Sequence, residues 1–243
     1  MLHALAAISA VALVGYLLVM GLLGRQRFER FVEQLSRQPE LRAAYYRKGI
    51  ARQWMTVAVI GVIGLLAGKT PGDILLRRPI GDVNVSAAGG AGMVLGLLLG
   101  LVLVGRLRRT ARGTRRLEVL MGRVHQLLPT NRVERLWFVP LALTAGVCEE
   151  IMFRGFLIAV VWWLHPSATD TQAAVATAVV FGLAHLYQGG RGVVLTGLVG
   201  YLLASLALSQ HSLLLPMILH TLIDIRWALL PDTGADEGSL RPG

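Results

Sequence analysis

Seven apolar stretches, at roughly 3–24, 53–68, 87–105, 137–164, 171–187, 191–209 and 212–230, punctuate this chain of 243 residues. Crossing the hydrocarbon core of a bilayer takes about 20 residues as a helix. No backbone polar group finds water there, so stretches of this kind fold as helices that satisfy their own hydrogen bonds. The runs 53–68 and 171–187 are the shortest for a full crossing. Charged residues make up only 16% of the chain against about 25% in soluble domains, and 54% of it is hydrophobic. The first run has no basic residue ahead of it and is too long for a secretory-signal core, so it reads as a retained helix ending at Arg25. The fold class expected is all-α, a polytopic integral membrane bundle of about seven transmembrane helices.

The basic residues alternate from loop to loop. Lys and Arg number eight between residues 25 and 52, three in 69–86 and nine in 106–136, and only Arg191 follows in the later loops. That asymmetry places the N-terminus outside and the C-terminus in the cytoplasm. It also accounts for the net charge of +10 through anionic membrane lipids rather than nucleic acid. Phe28, Phe31, Val32 and Leu35 share one helical face before Pro39, and Leu117, Leu120, Met121, Val124, Leu127 and Leu128 share another before Pro129. Both read as amphipathic interfacial helices. Asn131 with Glu134 forms a capping pair that starts the next helix, and Pro140 is expected to bend it. The chain then divides into an N-terminal part (1–130), a polar-motif core (131–230) and a flexible cytoplasmic tail (231–243). Lysine occurs only at 48 and 69 amid abundant Arg, Ala, Gly and Leu, a usage that points to a GC-rich bacterium and its cytoplasmic (inner) membrane.

Three of the apolar stretches carry ionisable groups: Glu149, Glu150 and Arg154, then His185, then His220 and Asp224. A charged group in hydrocarbon costs at least about 2.5–3.5 kcal/mol, so these residues are best explained by one polar site inside the bundle. Glu150 precedes Arg154 by four residues, the favourable order for an ion pair. Glu149 is rotated by about 100° from Glu150 and is the acid left free, suited to take a proton from an attacking water. A purely structural ion-pair network is the alternative. His185 alone reads more often as a packing histidine with a backbone partner than as a catalytic one. His220 and Asp224, four residues apart, share a helix face, so the carboxylate can orient the ring or both can bind one ion.

Glu-Glu-x-x-x-Arg at 149–154, Phe-x-x-x-His at 181–185 and His-x-x-x-Asp at 220–224, in this order on separate apolar helices, resemble the CAAX-protease and bacteriocin-processing family of intramembrane endopeptidases, also called the Abi family. The resemblance covers roughly residues 136–228. It implies a helical membrane fold whose cavity opens to the cytosolic side and admits a peptide or membrane-protein substrate. By that resemblance Glu149 activates water with His185 as partner, His220 and Asp224 stabilise the oxyanion or bind metal, and Glu150 with Arg154 is the supporting ion pair. The eukaryotic prenyl-protein proteases have Asn where this chain has Asp224. Ionised aspartate can only accept hydrogen bonds, which favours a ligand or orienting role for Asp224.

With neutral histidines the six residues sum to a charge of minus two, which a buried cavity does not hold unpaired. Protonation of a carboxylate, or a divalent metal such as zinc on Glu149, His185, His220 and Asp224, would relieve it. Cys148 is deep in the same helix and is expected to be inert. Two other classes remain: a non-catalytic membrane scaffold, and a proton-coupled transporter, which usually shows a repeated half that this sequence lacks.

Overall fold

The computed structural model describes residues 2–76 and 122–228, with scattered positions between 92 and 116. Among the described residues the chain is entirely helical, as expected. The principal helices are α1 (Leu2–Arg37), α2 (Leu41–Leu66), α3 (Arg132–Glu149), α4 (Leu157–Leu164), α5 (Asp170–Ala184), α6 (Gly189–Gln210) and α7 (Leu214–Ile225). A π-helix, Glu150–Phe156, joins α3 to α4. Among the described residues four spans are long and apolar enough to cross a membrane: α1, α2, the continuous run Arg132–Leu164, and Leu186–Gln210. α5 and α7 are shorter apolar helices. The expected stretch 87–105, the residues Leu117, Leu120 and Met121, and the tail 231–243 lie outside the described residues or are described only at isolated positions.

Two expectations are corrected. The first helix does not end at Arg25; α1 runs unbroken for 36 residues to Arg37. Nothing between Gly24 and Pro39 breaks a helix, and i,i+4 pairs Arg25–Glu29 and Glu33–Arg37 line its exposed side. Its apolar face is covered by protein rather than by an interface with lipid. Phe28, Val32 and Leu35 are buried, Phe28 lies 5.2 Å from the Tyr187 ring and Phe31 stacks on Tyr45 at 4.4 Å. The second interfacial helix ends differently as well, because Gly122–Leu127 forms a 3-10 helix instead of an α-helix. Tyr46 captures the carbonyl of Leu127 there, and Arg42 Nε donates to the carbonyl of Gln126.

The capping expectation at Asn131 holds in one direction. Its side chain accepts from the Glu134 amide at 2.9 Å and starts α3. Glu134 does not reach back; its carboxylate takes the Thr130 amide and hydroxyl and receives Arg42 Nη1 at 2.8 Å on both oxygens. At Pro140 α3 continues without interruption.

The core gathers around the π-helix. Ile151, Met152, Phe153 and Phe156 pack with Ile60 and Ile63 of α2, Phe181 of α5 and Ala204 of α6. Outward faces of α1 and α2 stay apolar, with Ile8 67% and Leu65 78% exposed, the pattern of helices that meet lipid. Two glycines set the close approaches that matter here. A Cβ at Gly21 would lie 2.8 Å from Ala184 Cα, so α1 passes directly against the end of α5. A Cβ at Gly146 would fall 2.1 Å from Thr221 Oγ1 and 2.8 Å from its amide nitrogen, so α7 lies backbone to backbone on α3.

Candidate active site

Glu149 closes α3 and Glu150 opens the π-helix. A π-helical turn holds more residues than an α-turn, and such turns recur at functional sites because they re-aim neighbouring side chains. Glu150 Oε1 pairs with Arg154 Nη1 at 3.0 Å, with both side chains sealed from solvent. Arg154 also donates to the Gly200 carbonyl at 3.3 Å and lies 4.1 Å over the Phe181 ring. The predicted ion pair is therefore present and enclosed.

Glu150 does more than pair with Arg154. His220 Nδ1 is 2.7 Å from the same Oε1. An ionised carboxylate only accepts, so Nδ1 carries the hydrogen and Nε2 is left to face the site. Glu149 Oε2 stands 3.8 Å from that Nε2. The two consecutive glutamates thus address opposite nitrogens of one imidazole. The sequence reading sent them to separate surroundings; the lean of α7 into the groove at Gly146 brings His220 to both.

His185 sits where α5 ends, with backbone dihedrals outside the helical region (φ −101°, ψ 20°). Its Nδ1 donates to the Phe181 carbonyl one turn back at 2.8 Å, which leaves Nε2 facing Glu149 Oε2 at 3.9 Å. Asp224, one turn after His220, places Oδ2 3.7 Å from His220 Nε2. It is the most open of the group, with its side chain 34% exposed against 8% for His220. All six residues singled out in the sequence, Glu149, Glu150, Arg154, His185, His220 and Asp224, therefore meet in one cluster. Separations of 3.7–3.9 Å exceed a direct hydrogen bond and suit groups that act on one small molecule between them.

Two participants were not singled out as site residues. Phe181 is an aromatic hub that touches Arg154, His185 at 4.6 Å and His220 edge-on at 6.0 Å. Its four-residue spacing from His185 was the available signal. Gln53 of α2 donates from Nε2 to Glu149 Oε1 at 3.4 Å, and no motif marks it. Cys148 is fully buried and unbonded, in line with an inert thiol.

Among the described residues, no three His, Cys, Asp or Glu side chains are grouped to hold one metal ion. Zinc bonds of about 2.0–2.1 Å in a tetrahedron bring ligand atoms within about 3.4 Å of one another, closer than the 3.7–3.9 Å found here. The donors therefore stand slightly wider apart than a zinc tetrahedron, and no step below runs through a metal.

The family model for type II CAAX prenyl endopeptidase Rce1-like proteins matches residues 131–226. The match supports the CAAX-protease family, and in general terms a CAAX-type intramembrane protease. It spans α3 through α7 and so contains every residue of the cluster except Gln53. No curated protein and no solved structure gives a significant match.

Proposed function

We propose that this chain is an intramembrane endopeptidase in which Glu149 is the general base. The observation that carries the reading is the position of Glu149 Oε2, within 4 Å of Nε2 of both His185 and His220 in a nearly closed cluster. Glu149 takes one proton from a water whose oxygen attacks the peptide carbonyl. The C–O bond forms as the carbonyl becomes an oxyanion, and the C–N bond breaks as the amide nitrogen receives the proton that Glu149 holds. His185, with Nδ1 tied to Phe181, orients the water through Nε2. His220 faces the oxyanion from Nε2 and donates there when doubly protonated, with its Nδ1 hydrogen held by Glu150. Asp224, an acceptor when ionised, orients His220.

The substrate class that fits is a membrane-associated peptide or membrane protein. The loop charges support the bacterial cytoplasmic membrane, with the N-terminus outside and the C-terminus inside. A reporter fused after Arg116 should read cytoplasmic, and an external signal there would overturn that orientation.

Glu149→Gln keeps volume and a hydrogen-bonding group but removes the base. Cleavage of a peptide by the purified chain should fall by about 10²–10⁴-fold while the protein stays folded. His185→Ala should fall similarly, and the double variant should be little worse than either, as for groups acting as one unit. Full cleavage by Glu149→Gln would remove Glu149 as the base, and no cleavage by the wild type would put the scaffold or transporter reading ahead. A chelator arm separates the mechanisms: the reading above expects no loss of rate, and metal-restored loss would install a metal in it.

A further inference from the structure

We infer that Gln53, on α2 and outside residues 131–226, is a positioning residue for Glu149; this rests on the endopeptidase reading above. Arg42, Tyr46, Gly49 and Gln53 recur at intervals of four, three and four along α2, which puts them on one helical face. Their partners on α3 follow in the same order. Arg42 binds Glu134, Tyr46 meets the Phe138 ring at 5.5 Å, and a Cβ at Gly49 would lie 3.1 Å from Leu141 Cδ1. Gln53 Nε2 then reaches Glu149 Oε1 at 3.4 Å. The matching order shows that α2 and α3 run in the same direction: Arg42–Glu134 and the two contacts after it stay in step, and the Gln53 side chain reaches one turn further along α3 to Glu149.

The two oxygens of Glu149 consequently have different surroundings. Oε1 receives the Gln53 amide, whereas Oε2 faces the two histidines. A carboxylate held at one oxygen by a neutral donor keeps the other aimed at the proton it is to take. Stability does not explain the amide at this place. Among the described residues its own Oε1 is buried without a hydrogen-bond partner, an arrangement that costs folding free energy and that an apolar side chain of the same length would avoid. Gln53 therefore carries a cost to the fold, at the one point where α2 meets the base.

Gln53→Met keeps the length and removes both polar atoms, and Gln53→Leu provides a second, shorter apolar variant. Both should melt at or above the wild-type temperature in lipid vesicles. The infrared band of the Glu149 carboxyl group, assigned by its loss in Glu149→Gln, should shift in both. With a quenched fluorescent peptide mixture as substrate, kcat should fall about tenfold, equivalent to one lost orienting hydrogen bond, with KM within about twofold. An unmoved band, or wild-type kcat in both variants, overturns the inference. If the wild type cleaves no peptide yet the band still moves, the endopeptidase reading fails while the Gln53 contact stands, so the two failures are distinguishable.

Discussion

The two ends of this chain solve the membrane in opposite ways. In α2 only 11% of the most apolar window is buried inside the protein, whereas in the run Arg132–Leu164 half of it is. The first is a largely lipid-facing helix whose one inward face combines apolar contacts, Ile60 and Ile63 among them, with two polar groups, Arg42 and Gln53. The second is enclosed, and it carries its charges where other helices cover them. The difference teaches that burial by protein, rather than depth in the bilayer, lets Glu150 and Arg154 stay side by side with no exposure to solvent. It also shows that the half outside the matched segment is more than a lipid-facing shell, because its polar face determines where α2 meets the base.

The comparison can be broken at several points. The largest structural effect is expected at Arg154→Ala, since removing one partner of a buried pair costs about 3–5 kcal/mol. Folded protein should drop sharply in a detergent-stability assay, and replacing Glu150 as well should restore part of the yield. Activity should not return with it, because His220 then loses its Nδ1 acceptor. A stable but inactive Arg154→Ala would give the arginine a direct part in chemistry. Next comes Arg42→Ala, at about 3 kcal/mol by the same argument. If the N-terminal half only faces lipid, its melting temperature should instead match that of Val62→Ala, a substitution on the lipid-facing side. The smallest effect, about 1–3 kcal/mol of overpacking, is expected at Gly146→Ala. There α7 must retreat from α3, so peptide cleavage should suffer more than the melting temperature; equal loss of both would deny that the approach serves His220.

Spacing made much of the cluster legible. Glu150 with Arg154, and His220 with Asp224, are pairs one helical turn apart, and a turn is a local property that sequence carries directly. What it concealed is non-local or depends on backbone departures from the α-helix. The π-helix Glu150–Phe156 has a residue spacing that reads equally well as an α-helix, so nothing in it announces the wider turn. The bond from His220 to Glu150 joins residues 70 apart, and the contact from Gln53 to Glu149 joins residues 96 apart. Arg25 looked like a terminus because charge usually marks the edge of hydrocarbon, but a helix ends where its backbone is capped or broken, and Pro39 does that instead. The capping pair at Asn131 was legible for the half that is local. Its glutamate was drawn away by an arginine on another helix, a competition that no window of neighbouring residues contains.

Helix length has a consequence of another kind. α5 has 15 residues and α7 has 12, which at 1.5 Å per residue are about 22 Å and 18 Å long, against a hydrocarbon thickness of about 30 Å. Both expose apolar side chains, Val179 and Ile218 among them. Lipid beside a helix that is too short must thin, or the polar ends of the helix must sink into it. The two histidines ride on these two short helices, one of them at the very end of its own. Where these helices border the bilayer, acyl-chain length therefore enters the energetics of the site as a variable in its own right.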